Sequence, residues 1–367
     1  MDNIVKDVAI NKEIINNEKK SDNIKEQRLS NFELLRIIAM ILIILHHYAY
    51  HGNLISIPND NFNKYVAVFI IVGGKVGVNV FVLITGYFLI NSKFKIKKVI
   101  QLILQVYFYS IVLFLVTTII NGSIDIKLLK NALFFPLLKY WFIKTYLILY
   151  MLTPILNRIL NKISKEYLLI ILIIMFIVMC IMPLFIRINM YNTKVGWFIF
   201  MYFIGAYIKL YNVQFRLDFC KIIIIIALYL SAVVYNIQIT LRYTAIYCKY
   251  LLALNEEFLL ILFLSIIIFL CFKSINIRYN KIINDVAKIS FAIYLFHDND
   301  FFRDYLWNNI LHVKNFYNAN LLILIGHIIF SILYIYITTF VLEQIRGLRK
   351  TIDNILKNNK NMKEEIN

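Results

Sequence analysis

Charged side chains are scarce in this chain of 367 residues, because Asp, Glu, Lys and Arg together make up only 16% of it. A soluble globular domain contains roughly 25%. Hydrophobic residues reach 61%, so the composition excludes an ordinary soluble protein and indicates an integral membrane protein. Acidic residues are the scarcer kind: 21 of them stand against 39 Lys and Arg, which gives a net charge of +18.

Cysteine is also rare, with four residues, and only Cys248 falls in a segment that we predict to lie outside the cell. One thiol cannot form an external disulfide. The sequence lacks a Walker loop, a GxGxxG turn, a metal-ligand spacing and a GxSxG elbow. These absences weigh against ATP-driven transport, dinucleotide redox chemistry, zinc hydrolysis and a serine nucleophile. Residues 1–27 contain no apolar core with a cleavage site, so we expect no cleavable signal peptide.

Ten segments are apolar over about the 20 residues that a helix needs to cross a bilayer core. They lie near residues 34–51, 74–91, 99–120, 140–157, 167–186, 196–211, 219–236, 256–273, 287–306 and 320–342. Glycines interrupt the start of the second segment, and the ninth segment contains three charged residues, Asp298, Asp300 and Arg303. We therefore predict an all-α bundle of about ten transmembrane helices over residues 31–343, between a polar tail (1–30) and a basic tail (344–367).

Basic residues alternate between the loops and predict an orientation. With both termini in the cytoplasm, the cytoplasmic segments carry 26 Lys and Arg and the external segments carry 11. This is the positive-inside bias, so we attribute the net charge to topology and expect membrane lipid, not nucleic acid, around the protein. No external loop is long enough for a separate domain. We predict a multi-pass protein of the plasma membrane.

The first span carries ionisable residues along one face. Arg36 and His47 are eleven residues apart, which places them within about 20° of the same helix face and about 16 Å apart along the axis. Ionisable residues at such depth indicate a functional site. The structural alternative is that Arg36 extends to the inner interface while His46 and His47 cap the outer end of the helix.

The ninth span places His297 at a depth similar to that of His47, about 14 Å above Lys288 by helix rise. Two imidazoles at one depth can meet in one cavity. A neutral His can take the proton from a hydroxyl that attacks an acyl carbonyl and can return it to the leaving thiolate. We therefore predict His47, Arg36 and His297 as catalytic residues, with an interfacial role for His297 as the alternative.

Basic and aromatic residues near the two faces suggest ligand contacts. Lys97 and Lys98 precede the third span at the cytoplasmic face, where they can bind phosphate or act as topology signals alone. Near the outer interface, Trp141 and Tyr146 are typical of an aromatic belt. Lys144 between them could contact an external anionic acceptor, although an interfacial lysine often serves only as an anchor. Gln101 and Gln105 follow one another at i and i+4 and suggest a polar seam.

Several blocks together resemble the acyltransferase-3 family, which contains bacterial membrane enzymes that O-acetylate surface polysaccharides. They are Arg36 and His47 with ten residues between them, GVNVFVLITGYFLI (77–90), WFIKTYL (141–147), WFIFMYFIG (197–205) and IYLFH (293–297). With these five blocks in order, the resemblance extends over residues 31 to about 340, nearly the whole chain. Thr85 stands where Ser is common, Glu33 where Asp is frequent, and Lys97 and Lys98 near an expected arginine pair.

The resemblance implies an acyltransferase whose donor is cytoplasmic acetyl-CoA and whose acceptor is a hydroxyl of a surface polysaccharide or other glycan. His47 would be the general base, Arg36 would position the cofactor or the helix, and Lys97 and Lys98 would bind the cofactor with it. Trp141, Lys144 and Tyr294 would contact the acceptor, and no metal is expected.

The main alternative is a transporter for a glycan or a lipid-linked intermediate, with no acyl transfer. Such proteins often have repeated halves with broken helices at matching positions, and Pro154 and Pro183 make no such pair. A polysaccharide polymerase would need a long external loop, and a purely structural protein has no reason to retain ionisable residues in its spans.

Overall fold

The computed structural model describes residues 29–58, 61–134, 136–182, 194–216, 218–242 and 257–364. Helix makes up 83% of the structure, and the described residues contain no strand. The all-α prediction is therefore confirmed. Residues 1–28, which form nearly all of the predicted N-terminal tail, and Cys248 lie outside the described residues.

The helices are numbered here in chain order. They are α1 (Ser30–His51), α2 (Phe62–Leu89), α3 (Ile96–Asn121), α4 (Ile126–Phe134), α5 (Pro136–Lys139), α6 (Trp141–Leu160), α7 (Lys165–Phe176), α8 (Lys194–Leu210), α9 (Phe219–Arg242), α10 (Leu259–Ser274), α11 (Lys281–Lys288), α12 (Ser290–His297), α13 (Arg303–Tyr305) and α14 (Leu321–Glu364). Short 3₁₀ or π turns are Leu54–Ser56, Ile177–Ile181, Leu306–Ile310 and Val313–Phe316.

Five helices in the described part of the chain are long and apolar enough to cross a membrane. They are α1, α2, α3, the stretch Phe219–Gln238 of α9 and the stretch Leu321–Gly347 of α14. Helix α10 is a shorter apolar helix, and the other predicted spans fall on α6, α7, α8 and the region of α11 and α12. The number of ten spans and the cytoplasmic position of both termini stay predictions.

Helix α1 packs closely along α2 at two glycines. A Cβ added to Gly74 would overlap the Cβ of His46, and one added to Gly77 would lie 2.5 Å from the carbonyl oxygen of Ala39. Small residues of this kind let apolar helices approach one another in a membrane. The glycines therefore do not interrupt the second span, and the helix runs unbroken past them.

Helix α2 begins at Phe62, about three helical turns before the predicted start at residue 74. The side chain of Asn61 caps it by accepting from the Asn63 backbone N–H at 2.9 Å. The amide of Asn63 donates to the carbonyls of Tyr317 and Ala319, both at 2.9 Å. These bonds tie the start of α2 to the segment before α14, a long-range contact that hydropathy alone does not indicate.

The predicted ninth span, 287–306, is wrong as one continuous helix. Helix α11 ends at Lys288, α12 runs for only eight residues, and the chain leaves the helical path at Asp298. The side chain of Asn299 accepts from the backbone N–H of Phe301 at 3.2 Å. Asp and Asn side chains compete for backbone groups in this way and end helices. The break brings the polar residues after His297 back toward α1.

Helix α14 extends through the predicted basic tail to Glu364, well beyond the expected end of the last span at residue 342. Glu343 and Arg346 form an i,i+3 ion pair at 2.5 Å, which supports the helix past that point. Further toward its start, His327 fixes α14 to α1. Its Nδ1 accepts from the Tyr48 hydroxyl at 2.7 Å, while its Nε2 donates to the Leu311 carbonyl at 2.8 Å.

Candidate active site

A cavity of about 510 Å³ lies among α1, α2, α3, α6 and the α11–α12 region. Arg36 and His47 both line it, which agrees with their predicted position on one face of α1. The Arg36 guanidinium lies 5.9 Å from the ring of Phe88, near the end of α2, whereas His46 lies against Gly74, about 21 Å away along that helix by its rise. The cavity therefore has an Arg36 end and a His47 end.

Polar residues lie at both ends of the cavity, with apolar residues between them. Those of the Arg36 end are Arg36, Lys98, Gln101, Gln105 and Lys288. Those of the His47 end are His46, His47, Lys75, Trp141 and Tyr294. The apolar part includes Met40, Ile43, Val78, Phe81 and Ile84. A long ligand with a charged end and a less polar arm fits this distribution.

His47 and His297 meet as the sequence predicted. The His297 Nε2 lies 2.9 Å from the His47 Nδ1, and the His297 Nδ1 lies 2.6 Å from the carbonyl oxygen of Ile293. A carbonyl only accepts, so the His297 Nδ1 carries hydrogen and its Nε2 is the acceptor in the neutral ring. The His47 Nδ1 must then donate, which leaves the lone pair of His47 on Nε2. This is the form of His47 that can take a proton.

His297 is fully buried and is not among the residues that line the cavity. It therefore stands behind His47 and orients that ring. Its own position is held by the one-turn hydrogen bond to Ile293 within α12 and by edge contacts with Trp307 and Tyr294 at ring-centroid distances of 6.3 Å and 6.2 Å.

Two further ionisable residues, His51 and Asp298, lie beside the pair, and sequence reasoning missed them. His51 is one helical turn after His47 on α1, with ring centroids 5.0 Å apart. Its Nε2 lies 3.4 Å from the Asp298 carboxylate. Donor atoms of His47, His51 and Asp298 all lie within 4.8 Å of one another and could hold a metal ion. The i,i+4 spacing of His47 and His51 was the sequence signal that was available.

Arg36 is held toward the cavity by a neighbour on its own helix. Its Nη1 contacts the Glu33 carboxylate at 2.5 Å, and 25% of the Arg36 side chain remains exposed, against 5% of the Glu33 side chain. An acidic residue one turn earlier thus fixes the direction of the guanidinium while the cation stays accessible from the cavity.

The two predicted phosphate-binding lysines are in different positions. Both are exposed, but Lys98 lines the cavity at the Arg36 end and Lys97 does not. Gln101 and Gln105 follow Lys98 along the cavity wall, and the Gln105 amide donates to Glu343 of α14 at 3.2 Å. The structure thus brings one lysine and the polar seam to the site and leaves the other lysine outside it.

The predicted acceptor-binding residues are also divided. Trp141 and Tyr294 line the cavity, whereas Lys144 is exposed and does not. The side chain of Tyr294 is 5% exposed, and its hydroxyl makes no hydrogen bond to a described residue. Lys75 lines the cavity next to them; sequence reasoning placed it at the edge of the second span and gave it no role.

A protein-family comparison matches a range of the chain that contains the whole cavity. The model of one protein family, described as an acyltransferase domain, matches residues 29–342, nearly the entire chain. No curated protein and no solved structure matches significantly. The matched range includes every residue of the cavity.

Proposed function

The chain belongs to this acyltransferase family, and from that premise we propose that it is a membrane O-acyltransferase that moves an acetyl group from acetyl-CoA to a hydroxyl of a glycan. Membership supports acyl transfer in general, and five long apolar helices in the described part of the chain support a membrane location. The donor, the acceptor and the roles of individual residues are our proposal. Its main support is one cavity that His47 and Arg36 share.

The donor would bind with its phosphates at the Arg36 end. Arg36, Lys98 and Lys288 supply cations there, and charge-assisted bonds to phosphate are strong. The extended phosphopantetheine arm is of the same order as the Arg36 to His47 separation, about 16 Å by helix rise. The apolar middle of the cavity would hold that arm, so that the thioester reaches His47.

His47 would act as the general base. The acceptor hydroxyl attacks the thioester carbonyl carbon, and the His47 Nε2 takes the hydroxyl proton as the new C–O bond forms. The tetrahedral intermediate then expels the thiolate of CoA as the C–S bond breaks, and His47 returns the proton to sulfur. His297 would keep the lone pair of His47 on Nε2 by accepting from its Nδ1, so its role is positioning and not contact with substrate.

The acceptor would approach from the His47 end. Trp141 offers a broad apolar ring there, and the buried hydroxyl of Tyr294 can bond to a sugar hydroxyl. In the predicted topology this end faces the outside, so the glycan would meet the acetyl group at the outer part of the membrane. Lys97 and Lys144 are exposed and do not line the cavity. We therefore expect these two residues to contribute less to ligand binding.

The test is transfer of radiolabelled acetyl from acetyl-CoA by purified protein in lipid nanodiscs, with glycan oligosaccharides or water as acceptor. His47→Ala should lower kcat by about 10²- to 10⁴-fold, the usual contribution of a general base. His312→Asn is the matched control, because His312 is exposed and has a positive φ of 50° that Asn tolerates.

Full activity of a folded His47→Ala protein would refute the role of His47. Movement of a glycan across the membrane without any turnover of acetyl-CoA would favour the transporter instead. The control protein should retain the wild-type rate, which shows that loss of a histidine elsewhere is harmless.

A further inference from the structure

Two histidines and one aspartate lie together at the His47 end of the site. One ring nitrogen of His47, one of His51 and a carboxylate oxygen of Asp298 all lie within 4.8 Å of one another. The two histidines are spaced i,i+4 on α1, so they project from one face of the helix, with ring centroids 5.0 Å apart. Two zinc ligands have this same spacing on the helix of the H-E-x-x-H proteins. Helix α1 therefore presets two of three potential metal ligands.

The distances within this cluster are close to those of a tetrahedral metal site. Zinc bonds of about 2.0–2.1 Å to nitrogen or oxygen place neighbouring ligand atoms about 3.3 Å apart. The His51 Nε2 already lies 3.4 Å from the Asp298 Oδ1. A rotation of the His47 ring would close the remaining separations, which are at most 4.8 Å. Three protein ligands leave the fourth position of such an ion to water.

The Asp298 carboxylate is buried and only loosely held by its basic neighbours. Just 7% of its side chain is exposed, and a buried charge needs compensation. Arg303 lies 3.6 Å from it but pairs more closely with Asp300, at 2.9 Å. The His51 and Arg303 distances both exceed the roughly 2.7–2.9 Å of a charge-assisted hydrogen bond. Residues 298–304 contain three Asp and one Arg, so this turn is acidic in a basic chain and attracts a cation.

Binding a metal ion and acting as a base exclude one another at His47. A neutral imidazole has a single nitrogen lone pair, which the contact with His297 leaves on the His47 Nε2. A metal ion at Nε2 would occupy this lone pair. A metal ion at Nδ1 would displace the hydrogen that now faces His297 at 2.9 Å, and Nε2 would carry the hydrogen instead. In both cases His47 has no lone pair left for the proton of an attacking hydroxyl.

We propose that His47, His51 and Asp298 form a binding site for a divalent transition-metal ion such as Zn²⁺, and that an ion bound there stops acyl transfer. Two imidazoles and a carboxylate suit Zn²⁺, whereas Mg²⁺ and Ca²⁺ prefer oxygen ligands alone. Metal binding is independent of the proposed function, and the inhibition rests on it. The sequence did not predict this site, because its third ligand reaches α1 only through the turn after α12.

The test is calorimetric titration of Zn²⁺ into the chelator-treated full-length protein in nanodiscs of zwitterionic lipid. We expect one tightly bound ion per chain and no binding of Mg²⁺ at the same concentrations. His51→Ala and the isosteric Asp298→Asn should each weaken binding at least about 100-fold, since losing a residue that only supports a metal ligand already costs about 10- to 100-fold. His312→Asn and Asp304→Asn are the matched controls, because both residues are exposed and lie outside the cluster. Both controls should bind like the wild type.

The second measurement is acetyl transfer with and without Zn²⁺, each variant being compared with itself. At a free Zn²⁺ concentration of ten times Kd, the wild-type kcat should fall about 10-fold, and excess EDTA should restore it. The same concentration should lower the rate of His51→Ala or Asp298→Asn by only about a tenth. The KM for acetyl-CoA should stay near its metal-free value, because neither His51 nor Asp298 lines the cavity.

Three results would overturn the inference. The first is the absence of stoichiometric Zn²⁺ binding, or binding that is unchanged in both folded variants. The second is one bound ion per chain with an unchanged rate of transfer, because His47 would then not be a ligand. The third is inhibition that is equally strong in both variants, which would show that Zn²⁺ acts on a substrate or elsewhere on the protein.

The calorimetric measurement needs no turnover and so separates this inference from the proposed function. Zn²⁺ binding that both variants lose, without any acetyl transfer by the wild type, would keep the metal site and refute the transferase. Acetyl transfer that His47→Ala abolishes, with no stoichiometric binding of Zn²⁺, would do the opposite.

Discussion

Replacing His297 tests whether the hydrogen bond behind His47 controls the proton on its ring. In His297→Phe, the acceptor 2.9 Å from the His47 Nδ1 is lost, and the His47 hydrogen is free to move to Nε2. His297→Gln places an acceptor oxygen near the position of the lost Nε2. The two variants remove the same imidazole and differ in whether His47 still has a partner.

The expected loss of kcat follows from the strength of the hydrogen bond between His297 and His47. A hydrogen bond contributes a net 0.5–1.5 kcal/mol or about 2- to 13-fold in rate, and freeing the tautomer adds to that. We expect kcat of His297→Phe to fall about 10- to 100-fold, less than the loss expected for His47→Ala. The KM for acetyl-CoA should stay near that of the wild type, because His297 does not line the cavity.

The assay is steady-state acetyl transfer, with melting temperature in detergent as the control for folding. His297→Gln should recover most of the lost kcat. A merely structural role would lower the yield of folded protein without this recovery. Wild-type kcat in His297→Phe, or equal losses in the two folded variants, would refute the reasoning.

Two other substitutions have matched controls. Gly74→Ala should destabilise the protein by about 1–3 kcal/mol, the usual cost of overpacking, because the added Cβ would overlap His46. A Cβ added at Gly326 meets nothing within 4 Å, so Gly326→Ala should not destabilise it. Thermal melting in detergent compares the two variants. Lys98→Ala should raise the KM for acetyl-CoA about 5- to 20-fold through loss of a phosphate contact. Lys97 does not line the cavity, so Lys97→Ala should change that KM less than about twofold. Equal effects of the two substitutions would place the donor elsewhere.

Apolar runs predicted much of the fold, because length and composition alone define a helix that can cross a membrane. The runs of α1, α3 and α9 are of this kind. The start of α2 was missed because it depends on hydrogen bonds from Asn63 to residues 317 and 319. The break after His297 was missed because charge in a span was taken as a weaker helix and not as a turn.

The site could be predicted where it lies on one helix. Arg36 and His47 share α1, so the helix period was enough to place them on one face. Lys75 and Asp298 join the site only through tertiary contacts: α2 lies against α1 at Gly74, and the turn after α12 folds back to His51. No local pattern encodes these meetings, and lysine at a span edge has an ordinary topological explanation.

The unbroken course of α1 from Ser30 to His51 has a consequence for donor selection. Backbone hydrogen bonds, which hold every turn to the same rise, fix the separation of the Arg36 and His47 Cα atoms along the axis. Side-chain repacking cannot shorten or lengthen that interval. A single inserted residue would rotate the His47 imidazole by about 100° about the helix axis, away from the cavity. In the proposed reaction, the length of the donor's carrier arm is therefore tied to the residue count between Arg36 and His47, whereas the acyl group and the sugar are not.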